Sequence, residues 1–177
     1  MKFHTLIGLA AIVATASAAA VPQVSATAVP GKTVKVTEDS LCIFMPQNPG
    51  EEIALSEPTA IAHCNSTDVV SGAKKIPEGF IKSAHYLAAS GEGKYVQYTG
   101  SIDPSKYDLK STDGGGQYDN HGSGNPPGSS CEGYPYYVEL IEPDIERYCI
   151  RCCENYQDCN AGRSTYGCQR VVPGDFS

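Results

Sequence analysis

The 177-residue chain has no tryptophan, two methionines and four phenylalanines. Past Ala16 it has no apolar run near the roughly 20 residues that a membrane helix needs, so no membrane-spanning helix is expected. Cations are scarce too: 13 Lys and Arg stand against 20 Asp and Glu, a formal charge of −7, and without Lys2 twelve against twenty leaves −8. Nucleic-acid affinity comes largely from cationic side chains displacing counterions from phosphates, so a nucleic-acid partner is not expected. The text contains no G-x-S-x-G, H-E-x-x-H or Walker-type loop, and His63, His85 and His121 each stand alone. No catalytic residue can be assigned on this basis.

What the chain does have is sulfur. Of its eight cysteines, five fall between Cys149 and Cys168 in the text CIRCCENYQDCNAGRSTYGC. A reducing cytosol would leave such a density without purpose, whereas an oxidising compartment turns it into cross-links. Zinc would need a second pair matching Cys149 and Cys152, and a redox C-x-x-C belongs at a helix start rather than late in a strand-like run. All eight, Cys42, Cys64, Cys131, Cys149, Cys152, Cys153, Cys159 and Cys168, are therefore read as disulfide-bonded, although on the order of a hundred connectivities are open to them.

Two local arguments narrow the pairing. Cys42 and Cys64 enclose twenty-one residues rich in turn formers, a loop whose closure is worth roughly 3 kcal/mol in chain-entropy models. Neighbouring residues on a strand point to opposite faces, so Cys152 and Cys153 should reach different partners. That favours Cys153 with Cys159, Cys149 with Cys168 and Cys152 with Cys131.

The amino terminus reads as an export signal: one lysine in Met1 to His4, an apolar run from Leu6 to Ala16, and a small-residue site at Ala16-Ser17-Ala18. Residues 1–18 are assigned as signal peptide, 19–33 as a disordered leader with two Val-Pro pairs, and 34–177 as a single domain. No hydrophobic stretch follows the last cysteine, so a freely secreted protein is expected.

Within the domain, Leu41 to Met45 is an apolar strand ended by Pro-Gln-Asn-Pro-Gly, and Ile53 to Leu55 and Thr59 to Cys64 give shorter strand-like runs. Phe80 to Ser90 and Lys94 to Ser101 flank a glycine turn and form a hairpin; Tyr136 to Ile141 and Tyr148 to Cys153 form a second. Asp103-Pro104-Ser105 starts a helical turn. Ser111 to Ser130 is crowded with glycine and proline, and is expected to run over the surface as a long loop. The fold class is mostly β: a small disulfide-stapled sandwich or barrel-like domain with one short helical turn and a long glycine-rich loop.

Candidate sites follow from the same text. Asn65-Ser66-Thr67 satisfies N-x-[ST], making Asn65 a glycosylation acceptor in an exported chain. Asp113, Gln117, Tyr118, Asp119, Asn120 and His121 place polar groups in the glycine loop, the candidate binding loop. Oxygens from Asp113, Asp119 and Asn120 suit Ca²⁺. Their spacing is not that of an EF-hand, and Asx side chains in glycine loops mostly bond their own backbone, so neither metal nor cofactor is expected. Glycosidase carboxylates could be sought among Glu132, Glu139, Glu142 and Asp144, but such a pair needs roughly 5 to 9.5 Å across a cleft.

The order LCIFMP, a second cysteine, IPEGFIKSAHYL, YVQYTGSID, DGGGQYDNHG and a cysteine-rich tail resembles fungal secreted proteins of the kind named macrophage-activating glycoproteins, from about Cys42 to Cys168. The resemblance implies an extracellular fungal protein at the cell wall, glycosylated, and carries no established enzymatic activity over to these residues. Cys131 and Cys152 look like additions to that family's pattern, which fits their pairing with each other. The expectation is a non-enzymatic structural or binding protein at the fungal surface or in host contact. Its partner would be a cell-wall glycan or an extracellular protein, met through the glycine loop and exposed tyrosines. The alternative is a secreted hydrolase acting on polysaccharide.

Overall fold

A computed structural model describes residues 29–91, 93–122 and 126–177. The expected signal peptide and the leader as far as residue 28 lie outside the described residues. The remaining leader residues are already tied into the fold, because Gly31 donates to Ser71 O, Ala62 donates to Gly31 O and Lys32 Nζ donates to Ala60 O at 2.6 Å. The boundary expected at Val34 therefore moves toward the amino terminus.

The strands among the described residues, in chain order, are β1 (Thr33–Val34), β2 (Val36–Thr37), β3 (Ser40–Met45), β4 (Ile61–Cys64), β5 (Lys74–Lys75) and β6 (His85–Ala89). They continue with β7 (Tyr95–Ser101), β8 (Gly116–Asp119), β9 (Ser130–Cys131), β10 (Tyr136–Glu142) and β11 (Arg147–Cys153). Single-turn helices are α1 (Ile53–Ser56), α2 (Tyr156–Cys159) and α3 (Cys168–Val171). Three 3-10 segments, Pro104–Tyr107, Pro143–Ile145 and Ala161–Tyr166, complete the inventory.

These form an antiparallel sheet in the order β6-β7-β11-β10-β8, a second sheet in the order β2-β3-β4-β5 and a parallel pair β1-β9. The architecture is mostly β and layered, and no barrel closes among the described residues. Both expected hairpins are present, with Tyr86 opposite Tyr98 in β6-β7 and Leu140 opposite Cys149 in β10-β11. The first strand begins at His85 rather than Phe80; before it, only an isolated bridge joins Ile81 to Ile102. Asp103 caps the Pro104–Tyr107 turn by accepting from Ser105 N.

Period-2 alternation then builds two cores on the larger sheet. Tyr137 and Ile141 of β10 and Tyr148, Ile150 and Cys152 of β11 pack toward β3 and β4. Val138, Leu140, Cys149 and Cys153 point the other way, beneath the tail that carries Cys159, Cys168 and Val171. A chain without tryptophan fills the first core with tyrosine: Tyr118, Tyr137 and Tyr148 are fully buried. Two of the polar tips find partners, since Tyr118 shares a bond with Ser56 Oγ at 2.7 Å and Tyr137 donates to Ser129 Oγ at 2.8 Å, while the Tyr148 hydroxyl is buried without one.

The disulfides are Cys42–Cys64, Cys131–Cys152, Cys149–Cys168 and Cys153–Cys159. The first joins directly opposed residues of β3 and β4. Cys152 and Cys153 reach opposite faces of the sheet, the one to β9 and the other to α2.

Three local expectations are corrected. Ile53 to Leu55 is helical, not a strand. The tail holds further helical turns beside the one expected after Asp103. The supposed surface loop contributes β8, which pairs with β10 through Asp119 opposite Val138 to Gly116 opposite Ile141.

Candidate functional site

The glycine loop and the cysteine-tied tail meet at the β8 edge of the larger sheet. There, Gly114 to Gln117, Asp119, Leu140, Glu142, Thr165 and Gly167, with Ala54 and Glu57 from the region of α1, line a cleft of about 530 Å³. The loop is drawn into this place by Asp113, whose Oδ2 accepts from Ile53 N and whose Oδ1 accepts from Gly115 N, both at 2.9 Å. Gly115 has φ +88, and a Cβ there would collide with Ile141 O. Only glycine lets the loop lie so close to β10.

Opposite the loop, the wall is set by the tail. Glu142 ends β10 and accepts from Cys168 N at 3.2 Å. Gly167, at φ +70, passes against the same carboxylate. From β8, Gln117 donates through Nε2 to Asp119 Oδ2 at 2.7 Å and to Ala161 O at 2.6 Å. Its Oε1 is buried without a hydrogen-bond partner. Such an orphaned acceptor is costly unless something donates to it.

Among the described residues no lysine or arginine lines the cleft; its polar side chains are the carboxyls of Glu57, Asp119 and Glu142, the amide of Gln117 and the hydroxyl of Thr165. Burial, and then the charge of Asp119, raise the pKa of Glu57. Burial also raises that of Glu142, against the opposing pull of the Cys168 N–H and Arg147. The arrangement can receive hydrogen bonds from hydroxyl or ammonium groups, and burial makes Glu57 and Glu142 take up a proton more readily than an exposed glutamate does.

The sequence-derived candidates divide. Gln117 and Asp119 line the cleft. Asp113 is spent on backbone amides, and Asn120 donates to Pro135 O at 2.8 Å and accepts from Tyr137 N at 3.1 Å. Tyr118 is fully buried and cannot be a contact residue. His121 is exposed and lies outside the cleft, with its ring 4.0 Å from that of Tyr156. Tyrosine mostly fills the core, at Tyr98, Tyr107, Tyr118, Tyr137 and Tyr148, whereas Tyr166 is exposed.

Of the carboxylates singled out, only Glu142 reaches the cleft. Glu139 is buried on the opposite face of the sheet, where its Oε2 accepts from Phe44 N; Glu132 pairs with Lys35, and Asp144 is exposed. Glu57 was missed, because nothing local distinguishes it from any solvated glutamate. Among the described residues no group of three His, Cys, Asp or Glu is placed to hold a metal ion. Asn65 is exposed at the end of β4, its Oδ1 accepting from Leu41 N and its Nδ2 donating to Asp39 O.

Among known proteins, the chain is similar to the appressorium protein ROW1 of Mycosarcoma maydis: 27% identical over 154 residues, covering 78% of this chain and 35% of that protein. The relative is fungal. The chain spans about a third of that protein's length. No family model and no solved structure matches the chain. The similarity to ROW1 and the four disulfides fit a fungal cysteine-rich secreted protein. No helix among the described residues is long and apolar enough to cross a membrane.

Proposed function

We propose that the protein works outside the cell as a non-enzymatic binding component of a fungal surface or of its contact with a host. Its ligand is a glycan rich in hydroxyl or amino groups, held in the cleft at the β8 edge. The observation that carries this reading is the cleft's lining, in which Glu57, Asp119 and Glu142 share one concavity that, among the described residues, no lysine or arginine lines. A cavity of this size with a few convergent polar groups is the usual form of a small-ligand site. Similarity to an appressorium protein supports the setting, and four disulfides support an oxidising compartment.

A glycan array carrying chitin, chitosan, β-glucan and mannan oligosaccharides, probed with the purified secreted protein, tests the proposal. Glu57→Gln and Glu142→Gln each remove a charge while keeping the shape. Loss of a charge-assisted hydrogen bond is worth about 1.5–3 kcal/mol, so each variant should bind about tenfold or more weakly with an unchanged melting temperature. Binding unaffected by both substitutions would refute the cleft as the site.

The polysaccharide hydrolase is a second reading with an observation behind it. Glu57 and Glu142, both with raised pKa, line one cleft with Asp119 beside the glycine loop, and a two-carboxylate hydrolase needs one protonated member. Mass spectrometry of the oligosaccharides after incubation separates the two readings: intact ligand supports binding alone, and shortened products support hydrolysis.

A further inference from the structure

A second concavity, of about 390 Å³, is lined by Tyr156, Gln157, Asn160, Ala161, Gly162 and Arg163. The segment Ala161–Tyr166 is its common wall with the cleft, since Arg163 lines this hollow and Thr165 lines the cleft. Gln117, itself a cleft residue, fastens that wall by donating to Ala161 O at 2.6 Å. The two concavities therefore adjoin.

Strand register brings aromatic rings to the hollow. Asp119 lies opposite Val138 and Gln117 opposite Leu140, and period 2 puts Tyr136 on the same face of β10 as Val138 and Leu140. Asp119 Oδ1 accepts from His121 N at 2.6 Å and Asn120 donates to Pro135 O, which holds the end of β8 beside Tyr136. The ring of Tyr156 then lies 4.0 Å from that of His121 and 5.8 Å from that of Tyr136. His121 is exposed and both tyrosines are half-buried. Tyr156 turns its hydroxyl toward Gly162, where an added Cβ would stand 3.8 Å from it. From Leu140 in the cleft to Tyr136 is a strand length of about 13 Å, more than one sugar ring spans.

We propose that the hollow is a second sugar subsite, and that the ligand is an oligosaccharide chain crossing from the cleft into it over Gly162. A pyranose in the hollow sets its C–H face against the ring of Tyr156, which His121 and Tyr136 hold in place. Its hydroxyls accept from the Gln157 amide and the Arg163 guanidinium and donate to Asn160 Oδ1, while Asn160 Nδ2 is committed to Val171 O at 3.3 Å. The subsites differ in kind: carboxyls receive hydrogen bonds in the cleft, and a guanidinium and an amide give them in the hollow. This inference rests on the reading of the cleft as a glycan site and adds the length of chain that the site recognises.

The test is an NMR titration of the purified secreted protein with mono- and tetrasaccharides of the chitin, chitosan, β-glucan and mannan series. In the series that binds, the tetrasaccharide should exceed the monosaccharide in affinity by about tenfold, from one ring stack and its hydrogen bonds. Tyr156→Ala should remove that gain and leave the monosaccharide affinity unchanged. Because Tyr156 also packs against the second core, Gly162→Leu is the companion variant. Gly162 is exposed and has no left-handed φ, so a side chain there fills the hollow without removing a contact, and should give the same loss at an unchanged melting temperature. Equal affinity for the two lengths, or a gain that survives Gly162→Leu, overturns the second subsite and leaves the cleft standing. Failure of every saccharide to bind overturns both.

Discussion

Tyr118 and Glu139 show how little of a residue's role is written in its type. Tyr118 comes from text full of glycine and asparagine, yet its ring lies in the core, 6.4 Å from that of Phe44, and its hydroxyl meets Ser56. Tyr118→Ala should cost about 3–5 kcal/mol in chemical denaturation, and Tyr118→Phe about 0.5–1.5 kcal/mol. Glu139 is fully buried, with one oxygen on Phe44 N and the other without a partner, and desolvation holds its pKa well above the ordinary value of 4.5. The folded protein keeps a proton that the unfolded chain releases above that value, so this contribution is complete at low pH and is lost as pH rises toward the folded pKa. Glu139→Gln should therefore gain stability relative to the parent as pH goes from 5 to 8, read by urea titrations at each pH.

His63 acts with the opposite sign. Burial lowers its pKa from 6.5 to about 4, in a site where Nδ1 faces Ile61 O and Tyr107 Oη lies 3.4 Å from Nε2. The unfolded chain takes up a proton below 6.5 that the folded protein refuses. Stability is therefore full above that pH and falls by roughly 3 kcal/mol on acidification to about 4, at about 1.4 kcal/mol per pH unit. His63→Gln should flatten this acid limb.

At the scale of elements, the tail deserves its own test. The 19-residue separation closed by Cys149–Cys168 ties α3 beneath the sheet, and replacing both cysteines with serine should cost about 3 kcal/mol by loop entropy. It should also free Gly167 from Glu142, so that ligand affinity falls together with stability. The hairpins were legible because alternation and turn residues act over a few neighbours, as in Tyr95 to Ser101. The separate partners of Cys152 and Cys153 were legible for the same reason. β8 was not: Gly116 to Asp119 becomes a strand only because β10 pairs with it and α1 packs over Gly116. Three apolar residues, Ile53 to Leu55, cannot tell a helical turn from a strand. That Glu57 and Glu142 line one cleft is tertiary, and no local pattern encodes it.

For the molecule as a whole, the decisive feature is where the cross-links are not. Cys42–Cys64 lies wholly in the first half of the chain, and the other three bridges all lie between Cys131 and Cys168. Apart from the backbone, the halves are joined by packing, by the parallel pairing of Thr33 with Ser130 and Val34 with Cys131, and by bonds such as Phe44 N to Glu139. A protease that nicks the backbone once between Cys64 and Cys131 should thus leave a particle that migrates intact on a native gel. On a denaturing gel without reductant the same sample should split into two fragments, each still closed by its own sulfur bridges.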